Sequence, residues 1–176
     1  MEDDSVLKGK RILIVDDEPD ILETLEELLD SCLIDTAPNF ETARKFLDKN
    51  PYDGAILDIM GVQGYDLLQI TTQKGIPTLM LTAHALTPEN LVKSIKEGAQ
   101  SYIPKDRVAD IPLFLKEVLE AKQRGIKKHG GWFTRLRPFF DRKFGPGWRQ
   151  KDREFWKEFD ASYDLRVSKE ELGKML

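Results

Sequence analysis

The chain has 176 residues, enough for one domain with a full core and a smaller appendage but tight for two full domains. Hydrophobic residues at 40% and charged residues at 33% exclude a disordered or fibrous chain, and a single cysteine, Cys32, excludes an internal disulfide or a multi-cysteine metal site. Charge is uneven: residues 1–121 carry 12 Lys/Arg against 23 Asp/Glu, net −11, while residues 122–176 carry 15 against 8, net +7, which together give the overall −4. His84 and His129 are too few and too scattered for a zinc site. Apolar runs such as Ile12 to Val15 and Thr78 to Leu81 are strand-sized, far short of the roughly 20 residues a membrane span needs. The opening Glu2, Asp3 and Asp4 stand where a signal peptide would be positive, so the expectation is a cytoplasmic protein with no membrane span.

Strand-like and helix-like segments then alternate, the pattern of βα units around a parallel sheet. The strands are expected at Arg11 to Asp16, Leu33 to Ala37, Gly54 to Asp58, Thr78 to Thr82 and Ser101 to Ile103. The third and fourth are nearly all apolar, as strands covered on both faces should be. Between them, Ile21, Leu22, Leu25, Leu28 and Leu29 recur at helical spacing, followed by Ala43, Phe46 and Leu47. Further helices are expected at Tyr65 to Gln73, Pro88 to Glu97 and Ile111 to Lys122. Asn39 can cap the second helix, and Thr87 before Pro88 can cap the fourth. Gly125, Gly130 and Gly131 then break the pattern, so the reading is a unit over 1–122 and a basic, aromatic-rich extension over 123–176.

Ligands of an open parallel sheet bind beyond the carboxyl ends of its strands, near the point where strand order reverses. The first strand ends in Asp16 and Asp17, the third in Asp58 and the fourth in Thr82, and Lys105 closely follows the fifth. Taken singly, an acidic pair before a helix is a cap, a threonine a turn residue and a lysine a surface charge; their occurrence together at four strand ends favours a site. Three clustered carboxylates repel unless a hard cation joins them, and magnesium suits oxygen ligands while leaving positions for phosphate oxygens. One aspartate is then free to act as nucleophile and form an aspartyl-phosphate. Lys105 can neutralise the phosphoryl oxygens, Thr82 can donate to one, and Ala83 leaves room for the group.

The stretches Ile12-Leu-Ile-Val-Asp-Asp-Glu-Pro19, Ala55-Ile-Leu-Asp-Ile-Met60, Leu79-Met-Leu-Thr-Ala83 and Gly98-Ala-Gln-Ser-Tyr-Ile-Pro-Lys105 resemble, as a set, the receiver domain of two-component response regulators over residues 6 to 122. That resemblance implies a flavodoxin-like, doubly wound sheet of five parallel strands in the order 2-1-3-4-5, with a short helical or irregular C-terminal extension. It implies that Asp58 is the phospho-acceptor, that Asp16, Asp17 and Asp58 bind Mg2+ with the backbone carbonyl of Met60, and that Thr82 and Tyr102 form a switch pair. In the family the aromatic ring follows the hydroxyl from exposed to buried and reshapes the face of the fourth helix, fifth strand and fifth helix. The implied partners are a sensor histidine kinase or phosphotransfer protein and a downstream protein, with a homodimer left open; the implied role is a phosphorelay signalling module rather than an enzyme.

The chain departs from the family pattern in three places. The loop Gly61-Val-Gln-Gly64 after the third strand is about two residues short. Pro104 precedes Lys105 and Asp106 follows it, where the family has proline after the lysine, so a trans Lys105–Asp106 bond or a rebuilt loop is expected. Met60 and His84 stand where family members tune hydrolysis of the aspartyl-phosphate, and Met60 cannot orient a water, which implies slow hydrolysis unless His84 takes part.

From Trp132 to Trp148 aromatics interleave with arginines, and Phe155, Trp156 and Phe159 share one side of a short helix expected over Asp152 to Asp160. Aromatics and arginine anchor protein interfaces, so docking on a partner or on the acidic first unit is the favoured reading. A DNA-binding regulator using this basic tail is the alternative, because arginines can neutralise phosphates and aromatics can stack on bases. About 55 residues are too few for a winged-helix output domain.

Overall fold

The computed structural model describes residues 6–167; the acidic stretch Glu2 to Asp4 lies outside them. Five strands, β1 (Arg11–Val15), β2 (Leu33–Ala37), β3 (Gly54–Asp58), β4 (Thr78–Thr82) and β5 (Ser101–Pro104), form one parallel sheet in the order β2-β1-β3-β4-β5. Every residue of β3 and β4 is buried, as their unbroken apolar content requires of central strands. β2 is an edge, and its Leu33 is 61% exposed.

The helices connecting the strands are α1 (Pro19–Leu28), α2 (Phe40–Lys49), α3 (Gly64–Gln73) and α4 (Pro88–Lys96), and α5 (Ile111–Gln123) follows β5. α1 packs beside α5 and α2 beside α3, while the Tyr65 hydroxyl of α3 donates to Asn90 of α4 at 2.8 Å. This is the layering that right-handed crossovers on either side of a strand-order reversal produce. Both expected caps form: Asn39 accepts from Thr42 N at 2.9 Å and Thr87 from Asn90 N at 3.1 Å.

The boundaries differ by a residue or two from expectation. β1 stops at Val15, because Asp16 turns its carboxylate to accept from Glu18 N at 2.9 Å and so opens the turn into α1. β5 runs on to Pro104, which pairs with Thr82 in the register of β4. After it, Lys105–Asp110 coil into a 3₁₀ turn, and no peptide bond among the described residues is cis, so the Lys105–Asp106 bond is trans.

The extension is helical. α6 (Gly131–Phe144) and α7 (Arg153–Ser162) are joined through a 3₁₀ turn at Gln150–Asp152, so the helix expected at Asp152 to Asp160 lies one residue later at its start and two at its end. α6 was not read from the sequence: Pro138 in its interior and Gly130 and Gly131 at its start are helix-breaking residues that masked the stripe Trp132, Leu136, Phe140. Those three side chains, with Phe133, Trp156 and Phe159, are buried in the same hydrophobic cluster as the sheet. The end of the extension is tied to its beginning by a parallel bridge between His129 and Asp164.

Candidate functional site

Parallel pairing places the chemistry at one edge. Asp58 is the last residue of β3 and pairs with Leu81; Thr82 ends β4 and pairs with Pro104; Lys105 is the next residue. Asp16 follows the last residue of β1. Asp16 and Asp58 are 1% and 5% exposed, whereas Asp17 and Glu18 are exposed. The Lys105 ammonium lies 2.6 Å from Glu18 Oε1, 3.0 Å from Asp16 Oδ2 and 3.6 Å from Asp58 Oδ1. Asp16 Oδ2 is therefore in an ion pair, yet it is buried and receives no aligned hydrogen bond.

Burial, then the neighbouring Asp16 charge, pushes the Asp58 carboxyl up to about 7 against the pull of Lys105. Burial likewise raises Asp16, outweighing the Glu18 N–H and Lys105. Burial alone would lower Lys105, but its hydrogen bond to Glu18 and its ion pair with Asp16 prevail and hold it above its ordinary value. Glu18 is held low by Lys105.

Asp16, Asp17 and Glu18 can each offer a carboxylate oxygen within 4.8 Å of the others. An all-oxygen donor set beside a buried carboxylate with unused acceptor capacity fits a hard divalent cation such as magnesium. Gly61 shapes the outer wall: its φ of +85° suits glycine, and a Cβ there would run into the Asp17 carboxylate. Gly64 is as constrained, since a Cβ would strike the backbone of Asp58 and Ile59. The short loop thus brings its backbone against the acids, and its single strained residue is Gln63, at a left-handed φ of 54°.

Thr82 is buried, and its Oγ1 accepts from Ala85 N at 2.9 Å. Tyr102 is completely buried; its hydroxyl donates to Ala85 O at 2.5 Å and accepts from Thr87 N at 3.2 Å. Met60 is 54% exposed beside the site, and His84 is exposed and close enough to lower the Glu18 carboxyl. Two contacts escaped sequence reading. Glu18, the closest partner of Lys105, was legible only as part of an acidic run, and Phe140, whose ring is 6.1 Å from Tyr102, comes from the extension.

The strand order reverses beside β1, and the acids sit at that switch point, the arrangement of a CheY-like receiver. The family model for the response regulator receiver domain matches residues 12–112, more than half of the chain, and the chain belongs to this family. It is 33% identical over 137 residues to the two-component response regulator ARR18 of Arabidopsis thaliana, a match spanning 74% of this chain and 20% of that protein. It is 35% identical over 105 residues to the response regulator protein PilR of Pseudomonas aeruginosa, spanning 56% of this chain and 23% of that protein. The matches cover about a fifth of the length of these relatives. A CheY-like receiver domain protein from Methanospirillum hungatei superposes with a TM-score of 0.61 at 27% identity, covering 67% of this chain and 99% of that one. A response regulator structure from Chloroflexus aurantiacus gives 0.57 at 30% identity, covering 64% and 99%.

Proposed function

We propose that Asp58 accepts a phosphoryl group from a phosphohistidine of a sensor kinase or phosphotransfer protein, and that the chain acts as a cytoplasmic phosphorelay module that signals by altered protein contacts. The observation that carries this reading is the buried Asp58 at a sheet switch point with Lys105 Nζ 3.6 Å away and a carboxylate group beside it. Asp58 attacks phosphorus as a carboxylate; its new P–O bond forms as the donor P–N bond breaks, and the departing imidazole takes its proton from solvent. Lys105 offsets charge on the phosphoryl oxygens and Thr82 donates to one, so the chain supplies placement and electrostatics rather than covalent help. Asp16, Asp17 and Asp58, with the Met60 carbonyl, would hold the magnesium. When bound, it supplies the positive charge that lets several carboxylates and a phosphoryl group share one site.

Release of phosphate needs an oriented water, and the thioether of Met60 has no donor for one. Self-dephosphorylation is therefore slow unless His84 orients the water. The DNA-binding alternative draws less support, because Trp132, Phe133, Phe140, Trp156 and Phe159, the rings that would stack on bases, are buried.

The test is incubation with a small acyl phosphate and magnesium, read by intact mass. One phosphoryl addition is expected on the wild type and none on Asp58→Asn; equal labelling of both, or of neither, would overturn the reading. Met60→Asn is expected to shorten the lifetime of the label by about tenfold.

A further inference from the structure

The face formed by β5 and α5 carries a resident: α6 of the chain's own extension lies on it. Tyr102 and Phe140 are both completely buried, with ring centroids 6.1 Å apart across the boundary. Beside them Arg135 of α6 grips Glu117 of α5 through two hydrogen bonds of 2.9 and 2.8 Å. At the rim the Arg107 guanidinium lies 5.9 Å from the Phe139 ring, and the Lys96 ammonium of α4 lies 5.6 Å from the Phe155 ring of α7.

We propose that this extension is the output element of the chain, and that its docking is coupled to phosphorylation of Asp58 through Thr82, Ala85, Tyr102 and Phe140. The inference rests on the phospho-acceptor reading of Asp58. Each link is a contact. Thr82 Oγ1 holds the Ala85 N–H at 2.9 Å, and the Ala85 carbonyl holds the Tyr102 hydroxyl at 2.5 Å. The Tyr102 ring meets Phe140, which stacks on Phe144 at 5.5 Å and on Phe133 at 6.0 Å inside the extension. A second route begins at the site as well, since Arg107 belongs to the 3₁₀ turn that Lys105 opens.

A phosphoryl group on Asp58 brings charged acceptor oxygens to the end of β3, beside the Thr82 hydroxyl at the end of β4. Thr82 turning to donate to one of them withdraws its acceptor from Ala85 N, and the segment Ala83 to Thr87 resettles. Tyr102 then loses its anchor. Its ring has no free space in which to absorb the change, because close-packed interiors transmit displacement instead of deforming gradually. The seat of Phe140 changes with it. Coupling is reciprocal, so the docked extension also biases the site toward one arrangement.

The experiment is hydrogen exchange by mass spectrometry on the full chain, with and without acetyl phosphate and magnesium, with intact mass recorded in parallel. In labelled wild type the amides of Gly131 to Phe144 are expected to exchange about fivefold faster or more. Thr82→Ala, which deprives the Ala85 N–H of its acceptor, is expected to give a rise in the same segment without any phosphodonor. Tyr102→Phe keeps the ring but removes the hydroxyl; it is expected to accept the label while the response of α6 falls below about twofold. Labelling of Asp58 with α6 exchange unchanged would overturn the coupling and leave the phospho-acceptor reading standing. Without labelling, that reading falls, and Thr82→Ala decides the contact chain by itself: a rise in α6 supports it, and unchanged exchange refutes it.

Discussion

At the scale of single residues, the site is a balance between burial and charge. Asp58 and Asp16 are buried beside each other, and Lys105 cannot satisfy both because its shortest contact goes to Glu18. The consequence for pH has a definite sign. The folded chain keeps the Asp58 proton up to about pH 7, whereas an unfolded aspartate releases it near 3.8, so the folded state binds more protons between these values. The contribution of Asp58 to stability therefore falls as pH rises through that window. Asp58→Asn, which removes the charge, is expected to be more stable than wild type by about 2 to 4 kcal/mol at about pH 8 and equal to it below about pH 4, in buffer free of divalent cations. Urea unfolding at the two pH values checks this; a stability difference that did not change with pH would contradict the account of Asp58.

At the scale of elements, α6 departs furthest from local propensity. It contains Pro138, whose missing N–H and bulky ring disfavour a helix interior, and its cap and first residue are the glycines Gly130 and Gly131, so its formation depends on what it packs against. The Arg135–Glu117 pair is part of that packing. With the Arg135 side chain fully buried and Glu117 largely so, removing one partner strands the other charge away from water. Arg135→Met is expected to cost about 3 to 5 kcal/mol, and Arg135→Met combined with Glu117→Leu to recover most of it. Denaturant titration of the single and double variants measures both; a single variant costing under about 1 kcal/mol would show that the pair is not a buried anchor.

At the scale of the whole molecule, the acidic unit and the basic extension share one hydrophobic core, so a partner that reads β5 and α5 has to compete with α6. A chain ending at Ile126 would uncover Tyr102 and its apolar surroundings. It is expected to keep the far-ultraviolet dichroism of the βα unit, less the contribution of α6 and α7, but to bind a hydrophobic dye and self-associate in size-exclusion chromatography. A monodisperse truncated chain without dye binding would mean that the face is stable uncovered. No helix among the described residues is long and apolar enough to cross a membrane.

Much of this was legible in the linear chain. Asp16 and Asp17, Asp58 and Thr82 stand at the ends of strands that periodicity marks, and Lys105 closely follows the fifth; the strand order that brings Asp16, Asp58, Thr82 and Lys105 to one edge came from the resemblance of the motifs to the receiver family. The sequence by itself determined those local matters because they depend on spacing and on hydrogen bonding within and between adjacent elements. Only the tertiary structure decided that Lys105 bonds Glu18 most closely, that α6 forms despite Pro138, and that Phe140 covers Tyr102. Those outcomes depend on which surfaces meet in space, and the burial energy that selects among them is shared by residues far apart along the chain.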